Sequence, residues 1–214
     1  MGATVSCLST SQEVDTLKRV DNLVGRVELL HFEAELSKSR VDNAVDALVG
    51  LVEGEYQGDP VIAFEQLVTA IELSEDQAES LRDSVEPMHE TADAVFTQWA
   101  QDAAELRIDT LRARSVSRLD DTRRRYEQIL ASVEQAQSAY DAFNLGLRDH
   151  ATYLEHDFNP AAVASIQGEI QTLTKWAGEV DMRLDNTMQA AEEYVRASAL
   201  PGTIEVAATT TTDE

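Results

Sequence analysis

The sequence predicts an all-α protein, an elongated antiparallel bundle of about four long, coiled-coil-like helices. Apolar or small residues recur at alternating steps of three and four in four successive stretches, and helix-breaking residues separate most of these stretches. A repeat averaging about 3.5 residues keeps one stripe of each helix facing its neighbours only if the helices supercoil gently, as in coiled coils and antiparallel bundles. Period-two alternation, which would favour strands, never extends beyond a few residues.

The first helix is predicted over residues 12–53. Two positions of its apolar stripe are polar, His31 and Lys38, so we expect this helix to be the most weakly buried and the most ready to accept a partner. Gly54 and Gly58 then interrupt the pattern. The stripe comprises Leu17, Val20, Val24, Val27, His31, Ala34, Lys38, Val41, Val45, Leu48 and Val52.

The second helix is predicted over residues 60–112. It begins at Pro60, because a proline at the first helical position has no intrahelical N–H bond to lose. Pro87 lies inside this helix and should kink it, since it removes one backbone hydrogen bond and crowds the preceding turn. The stripe comprises Phe64, Leu67, Ile71, Ser74, Ala78, Leu81, Val85, Met88, Ala92, Val95, Trp99 and Leu106.

The third helix is predicted over residues 117–157. The turn before it is placed near residues 112–117, because Ser115 and Ser117 are candidate N-caps. The stripe comprises Leu119, Thr122, Tyr126, Ile129, Val133, Ala136, Tyr140, Phe143, Leu147, His150 and Leu154.

The fourth helix is predicted over residues 160–199, with Pro160 as its first residue. Because no linker separates the four helices, a single domain is expected over residues 12–200, between a flexible N-terminus (1–11) and a disordered tail (201–214). The fourth stripe comprises Val163, Ile166, Ile170, Leu173, Ala177, Val180, Leu184, Thr187, Ala191 and Tyr194.

The chain is strongly acidic, with a formal net charge of −23 over 214 residues. A field of that sign repels nucleic-acid phosphates and anionic membrane surfaces. The charge is uneven: residues 41–106 contain 16 Asp and Glu and one Arg, whereas residues 107–125 contain seven Arg and three Asp. This arginine cluster consists of Arg107, Arg112, Arg114, Arg118, Arg123, Arg124 and Arg125.

The arginine cluster has two interpretations. In the first, its side chains pair with acidic neighbours, including Asp120 with Arg124 and Asp121 with Arg125 at helical spacing. In the second, it docks an acidic partner, a lipid head group or a nucleic acid. Nucleic acid is the least favoured of these, because the field of the whole molecule opposes it and the cluster has few stacking aromatics. The residues considered for partner contact are Arg112, Arg114, Arg118, Arg123, Arg124 and Arg125.

Two Glu-x-x-His pairs are the only candidates for metal chemistry. Glu28 with His31, and Glu86 with His89, each place a carboxylate and an imidazole on one helix face, as in di-metal carboxylate bundles. The motif is short enough to recur by chance in a chain this rich in Glu, and Pro87 lies inside the second pair. We therefore expect structural histidines, no cofactor and no catalytic residues, and we expect the protein not to be an enzyme.

Cys7 is the single cysteine, and the small residues before it loosely resemble the end of a bacterial lipoprotein signal. The charged and apolar segment that should precede such a cysteine is missing from the sequence. As written, the chain has no targeting or transmembrane segment and is expected to be soluble and cytoplasmic. If the true start lies upstream, we expect a cell-envelope lipoprotein lipidated at Cys7.

One block of the chain carries a family resemblance. The block reads Tyr153-Leu154-Glu155-His156-Asp157-Phe158-Asn159, preceded by Phe96, Trp99, Leu119, Thr122, Arg125, Tyr126, Ile129 and Leu130 and followed by Ala164-Ser165-Ile166. These residues resemble an uncharacterised bacterial family, domain-of-unknown-function family number 2959, over roughly residues 20–197. The resemblance implies an all-helical protein, often with a lipoprotein-like N-terminus, and no assigned activity. The chain departs from the family pattern at Glu155, where a basic residue is expected, and at its start.

The expected function is that of a non-catalytic structural or interaction protein, a helical rod with the bacterial cell envelope as a candidate location. Its expected partner is another protein, or a second copy bound along the rod. The alternatives are a membrane-associated scaffold anchored through a lipidated Cys7 or the arginine cluster, and, least favoured, a di-metal carboxylate bundle.

Overall fold

The computed structural model describes residues 10–54 and 58–199, and within them it contains five helices and no strand. The helices are α1 (Thr10–Glu53), α2 (Pro60–Asp83), α3 (Val85–Glu105), α4 (Asp109–His156) and α5 (Pro160–Ser198). Because only Ser84 separates α2 from α3, the two form one interrupted rod, and the molecule has four rods. The predicted all-α bundle is confirmed.

The four rods pack in a closed square, each antiparallel to the next along the chain. The α2–α3 rod and α5 flank α1, and the same two rods flank α4. Cross-contacts fix the directions, since Gln77 Nε2 in α2 donates to Glu33 in α1, and His31 in α1 lies 3.3 Å from Glu192 in α5. Short connections join antiparallel neighbours in this way in helix bundles. One end therefore carries two connections, and the other, here the open end, carries the start of α1, the α3–α4 turn and the end of α5.

The core follows the predicted stripes closely in α4 and α5. All but two positions of each predicted stripe are buried, and the exceptions, Thr122 and His150 in α4 and Val163 and Ile170 in α5, are partly buried. Tyr140, Tyr194 and Phe143 are the largest side chains that are fully enclosed. Heptad spacing is thus sufficient to identify the buried face of these two helices.

The stripe predicted for α1 is partly wrong. Leu17 is 53% exposed, and His31 and Lys38 lie at the edge of the buried face rather than in its centre. The missed positions that are buried are Leu23, Leu30, Ser37, Ala44 and Leu51. These five positions recur every seven residues and form a further buried row beside the predicted stripe, so the buried face of α1 is wider than the two positions per heptad of a simple coiled coil.

Both predicted proline starts are confirmed. Asp59 caps α2, its carboxylate accepting from Val61 N at 2.9 Å, and Pro60 is the first helical residue. Asn159 caps α5 in the same way, accepting from the backbone N–H groups of Ala161 and Ala162. In both cases a polar oxygen satisfies an orphan donor of the first turn.

The kink predicted at Pro87 is confirmed as an interruption of the helix three residues earlier. Pro87 has no N–H for the carbonyl of Asp83, where α2 ends, and its ring crowds that carbonyl. Ser84 occupies the break, and its hydroxyl donates to the carbonyl oxygen of Leu81 at 2.7 Å. The break does not expose the core, since Leu81 and Met88 on either side of it are both fully buried.

The turn predicted at residues 112–117 is wrong, because α3 ends at Glu105 and α4 begins at Asp109. The two serines taken as caps lie inside α4, where the Ser115 hydroxyl accepts from Trp99 Nε1 at 2.9 Å. The actual N-cap, Ile108, makes no side-chain capping bond. Instead Arg112 Nε donates to the carbonyl oxygen of Leu106 at 2.9 Å and closes the turn, so the usual capping signals were absent where the helix starts.

Candidate interaction surface at the open end

The α3–α4 turn projects past the end of α5. The end of α5, at Ala197 and Ser198, lines the same pocket as Arg118 and Thr122 of α4, so the first turns of α4 have no α5 residue alongside them within the described chain. Arg118 occupies the same heptad position as Gly146, which packs against Trp176 of α5. The face of α4 that packs on α5 is therefore not covered at this end by any residue among those described.

That uncovered region is both basic and apolar. We call it the open-end surface and define it as Arg107, Ile108, Leu111, Arg114 and Arg118. Ile108 is 58% exposed and Leu111 is 45% exposed. The guanidinium groups of Arg107, Arg114 and Arg118 make no hydrogen bond or ion pair with any residue in the described part of the chain. Three free cations around exposed apolar side chains are unusual in a molecule of net charge −23.

The other four arginines of the cluster are engaged within the protein. Arg112 pairs with Asp109 at 3.0 Å, and Arg124 pairs with Asp121. Arg125 donates to the backbone carbonyl of Asp121 at 3.4 Å. The predicted pairs of Asp120 with Arg124 and of Asp121 with Arg125 are thus wrong, because the three-residue spacing from Asp121 to Arg124 takes the carboxylate instead.

Arg123 ties α4 to α3. It donates to the carbonyl oxygen of Phe96 at 3.3 Å, and its guanidinium lies 5.6 Å from the centre of the Phe96 ring. Such a cation–π contact stabilises by about 0.5–1 kcal/mol at exposed sites. Of the six arginines considered for partner contact from the sequence, only Arg114 and Arg118 remain without a partner in the described chain, and Arg107 joins them.

The two Glu-x-x-His pairs do not converge. His31 Nε2 lies 3.3 Å from Glu192, while His89 stacks against Tyr126 with ring centres 6.4 Å apart and lies 3.7 Å from Asp93. Glu28 and Glu86 are both exposed. Across the described residues, no three His, Cys, Asp or Glu side chains group as a metal site would require. The geometry gives the di-metal interpretation no support.

The polar residues in the α1 stripe bind α5 rather than an outside partner. Lys38 Nζ lies 3.1 Å from Asp181 and 2.5 Å from Asp185. Burial lowers the pKa of Lys38, but the hydrogen bonds to Asp185 and Asp181 more than offset this, so its pKa is raised. The expectation that α1 is the helix most ready to accept a partner is therefore not supported at these positions. The sequence feature that could have indicated this contact is the pair Asp181 and Asp185, which lie four residues apart and therefore on one face of α5.

A buried polar contact between α2 and α4 escaped the sequence analysis. The Ser74 hydroxyl donates to Asn144 Oδ1 at 2.7 Å and lies 3.3 Å from the Tyr140 hydroxyl, and all three residues are buried. Burial raises the pKa of Tyr140 to about 12. Nothing in the heptad pattern marks Asn144, since it flanks the stripe position Phe143.

The remaining histidines support the end of α4. His150 Nδ1 lies 2.7 Å from the carbonyl oxygen of Gly146, and its Nε2 lies 3.0 Å from Glu169 in α5. His156 Nδ1 lies 2.8 Å from the carbonyl oxygen of Thr152. Both contacts fit a structural role for these side chains.

These features define a class, an antiparallel four-helix bundle with an apolar core, ion pairs between its rods and one basic, apolar end. None of the described helices is long and apolar enough to cross a membrane. Cys7, the candidate lipidation site, lies outside the described residues.

The particular family follows from a sequence comparison. Residues 8–198 match the model of a family described as a protein of unknown function, DUF2959, and the chain belongs to that family. This confirms the resemblance noted in the sequence. Neither the curated proteins nor the solved structures include a match to this chain.

Proposed function

We propose that the protein is a non-catalytic structural or interaction protein, a helical rod that contacts a protein partner through the open-end surface. The observation that carries this proposal is the contrast between the two kinds of arginine in one short segment. Arg112 and Arg124 pair with aspartates of α4 itself and Arg123 contacts Phe96 of α3, whereas Arg107 and Arg114 have no partner in the described chain and lie beside exposed Leu111. A basic rim around apolar side chains is typical of interaction sites.

The rest of the rod is suited to spacing rather than chemistry. In its middle, buried Ser74 and Asn144 bond to each other, and the ion pair of Lys38 with Asp185 links α1 to α5. The partner surface should be acidic, because complementary charge steers association and fixes orientation. A second copy satisfies this requirement, since the flanks of the rod are acidic.

Site-specific photocrosslinking in cells tests the proposal. A benzoylphenylalanine at Leu111 should give discrete protein adducts, whereas the same residue at Met182, an equally exposed apolar position on α5, should not. Arg114→Glu should abolish the Leu111 adducts, while Lys175→Glu, a matched charge reversal on α5, should leave them intact. Equal adducts from both positions, or Leu111 adducts that survive Arg114→Glu, would refute a specific contact at the open end.

A second candidate function, a membrane-associated scaffold, is favoured by one observation. Free arginines and exposed Ile108 and Leu111 lie together at the end of the rod where α1 begins, and basic residues beside apolar ones bind anionic bilayers. Flotation with phosphatidylglycerol vesicles should then exceed flotation with phosphatidylcholine vesicles and should fall in Arg107→Glu/Arg114→Glu. A Cys7→Ser arm separates any contribution of a lipid at that residue. Equal flotation with both vesicle types excludes this candidate.

A further inference from the structure

A pocket of about 370 Å³ lies at the open end, where α1, α3, α4 and α5 meet. Its lining is mixed, with an apolar part formed by Val20 of α1 and by Val95, Phe96 and Trp99 of α3. The volume falls within the range of roughly 300–1,000 Å³ that is typical of small-ligand sites, which are also mostly apolar. The lining runs along α3 from Val95 to Asp102, about two helical turns or roughly 10 Å.

The walls are held in place by contacts outside the pocket. Trp99 Nε1 donates to the Ser115 hydroxyl at 2.9 Å, which fixes the indole ring. Phe96 packs edge-on against Tyr126 with ring centres 5.6 Å apart, and Arg123 covers it. A pocket with fixed walls loses little side-chain entropy when a ligand enters.

Polar groups converge at the rim. Arg118 lines the pocket and has no partner in the described chain, and Arg114 lies one turn beyond it. Asp102 also lines the pocket, but it accepts a hydrogen bond from Gln98 Nε2 at 2.8 Å. The Ser198 hydroxyl is buried and lies near Tyr194. No polar atom of the described chain is positioned to form a hydrogen bond with it. Unsatisfied buried polar groups are rare and call for an explanation.

We propose that this pocket binds an amphipathic anion, with one acyl chain against Val95, Phe96 and Trp99 and a carboxylate or phosphate head at Arg118 and Ser198. The guanidinium supplies a fork of donors that matches either head group. The aliphatic and aromatic side chains of Val20, Val95, Phe96 and Trp99 give an alkyl chain an apolar surface to pack against. This site shares Arg118 with the open-end surface, but its apolar wall of Val95, Phe96 and Trp99 lies between the helices, and the photocrosslinking test at Leu111 and Arg114 does not depend on it.

Trp99 reports on the pocket directly once the second tryptophan is removed. In full-length Trp176→Phe protein, four probes with the same alkyl tail are titrated below their aggregation concentrations: dodecanoate, dodecyl phosphate, dodecanol and dodecyltrimethylammonium. The two anions should change Trp99 emission saturably with one-to-one stoichiometry, dodecanol should bind about tenfold more weakly, and the cation more weakly still. Affinity that does not depend on the head group, or no saturable change, would overturn the proposal.

Two variants separate the head-group contact from the cavity. Arg118→Gln should weaken both anions about tenfold and leave dodecanol unchanged, whereas Arg19→Gln, an exposed control on α1, should change neither. Ala197→Phe places a ring at the mouth of the pocket and should abolish binding of every probe while the helical circular dichroism stays intact. The proposal fails if Ala197→Phe still binds dodecanoate normally.

Other occupants give distinct results. In one variant, Glu205, Asp213 and Glu214 are changed to amides. If the anions bind only to this variant, the natural occupant of the pocket is the chain's own C-terminal segment, and the proposal is overturned. Sedimentation that shows a dimer dissociating as dodecanoate is added would assign it to a second copy, with the same consequence.

Discussion

Asn144 illustrates how a single polar side chain can specify the register of a bundle. It lies in the core of α4 and accepts a hydrogen bond from Ser74 of α2. Apolar stripes alone tolerate a shift of one heptad, because every layer resembles the next. A shift of α2 against α4 would separate Ser74 from Asn144 and leave both unsatisfied in the core. We infer that this pair fixes the alignment.

Replacing Asn144 tests that role. Asn144→Ala removes the shorter of the two hydrogen bonds of the Ser74 hydroxyl, leaving only the 3.3 Å contact with Tyr140, and should lower the free energy of unfolding by about 1–3 kcal/mol. Asn186→Ala, at an exposed position of α5, should change it by less than about 0.5 kcal/mol. Urea unfolding followed by circular dichroism measures both. Equal effects of the two substitutions would show that the buried contact contributes little.

The buried tyrosines predict a loss of stability in alkali. Burial raises the pKa of Tyr140 and of Tyr194 to about 12, from an ordinary value of 10.0. The raised pKa of each phenol means that the folded state holds its proton more tightly, so this stability is complete below pH 10 and is lost as pH rises toward 12. The raised pKa of Lys38 acts in the same direction.

Unfolding curves measured between about pH 9 and pH 12 check this prediction. The free energy of unfolding should fall over that interval, and Tyr140→Phe/Tyr194→Phe should flatten the fall. Tyr153→Phe, at an exposed position, should leave the pH dependence unchanged. A wild-type stability that stays constant over the interval contradicts the assignment.

At the scale of whole helices, α4 and α5 approach each other closely at Gly146. A Cβ atom there would lie 2.7 Å from Trp176 Cζ3 and 2.9 Å from Leu173 Cδ2. Real Cβ atoms do not approach other atoms so closely, so one of the side chains would have to move. The missing side chain at Gly146 therefore provides the space in which Trp176 lies over α4.

A pair of glycine substitutions tests this packing. Gly146→Ala should destabilise the protein despite the better helix propensity of alanine, and it should shift the emission of Trp176. Gly168→Ala, in α5 with open space around it, should stabilise by up to about 1 kcal/mol, because only the propensity term changes. Thermal unfolding and fluorescence give both readings. If Gly146→Ala stabilises the protein instead, Trp176 and Leu173 can move aside at little cost in free energy, and the close approach does not constrain the packing of α4 on α5.

The helices also show what the sequence predicts well and what it does not. The stripes of α4 and α5 were predictable, because most of their buried positions follow the three-and-four spacing from one end of the helix to the other. The width of the α1 face was not, since it depends on which rods flank it, and the α3–α4 turn was not, because Arg112 closes it in place of a capping side chain. The sequence likewise indicated the arginine cluster. It did not indicate which arginines contact other residues of the described chain and which do not, because that depends on where α5 ends.

At the scale of the whole molecule, shape and charge act together. The longest helix, α4, has 48 residues and would span about 72 Å. Negative charge along such a rod keeps copies apart, while a basic end remains available for contact. The rod is therefore expected to bind an acidic surface of its partner through its basic end, and not to pair with another copy flank to flank.

Small-angle X-ray scattering of the dilute protein tests the rod most directly. A four-helix rod of this length should have a radius of gyration of about 22 Å, whereas a compact globule of the same chain would have one of about 17 Å. The interatomic distance distribution should also be skewed, with a tail beyond about 70 Å. A symmetric distribution with the smaller radius would contradict the four-helix rod and, with it, an interaction surface at its end.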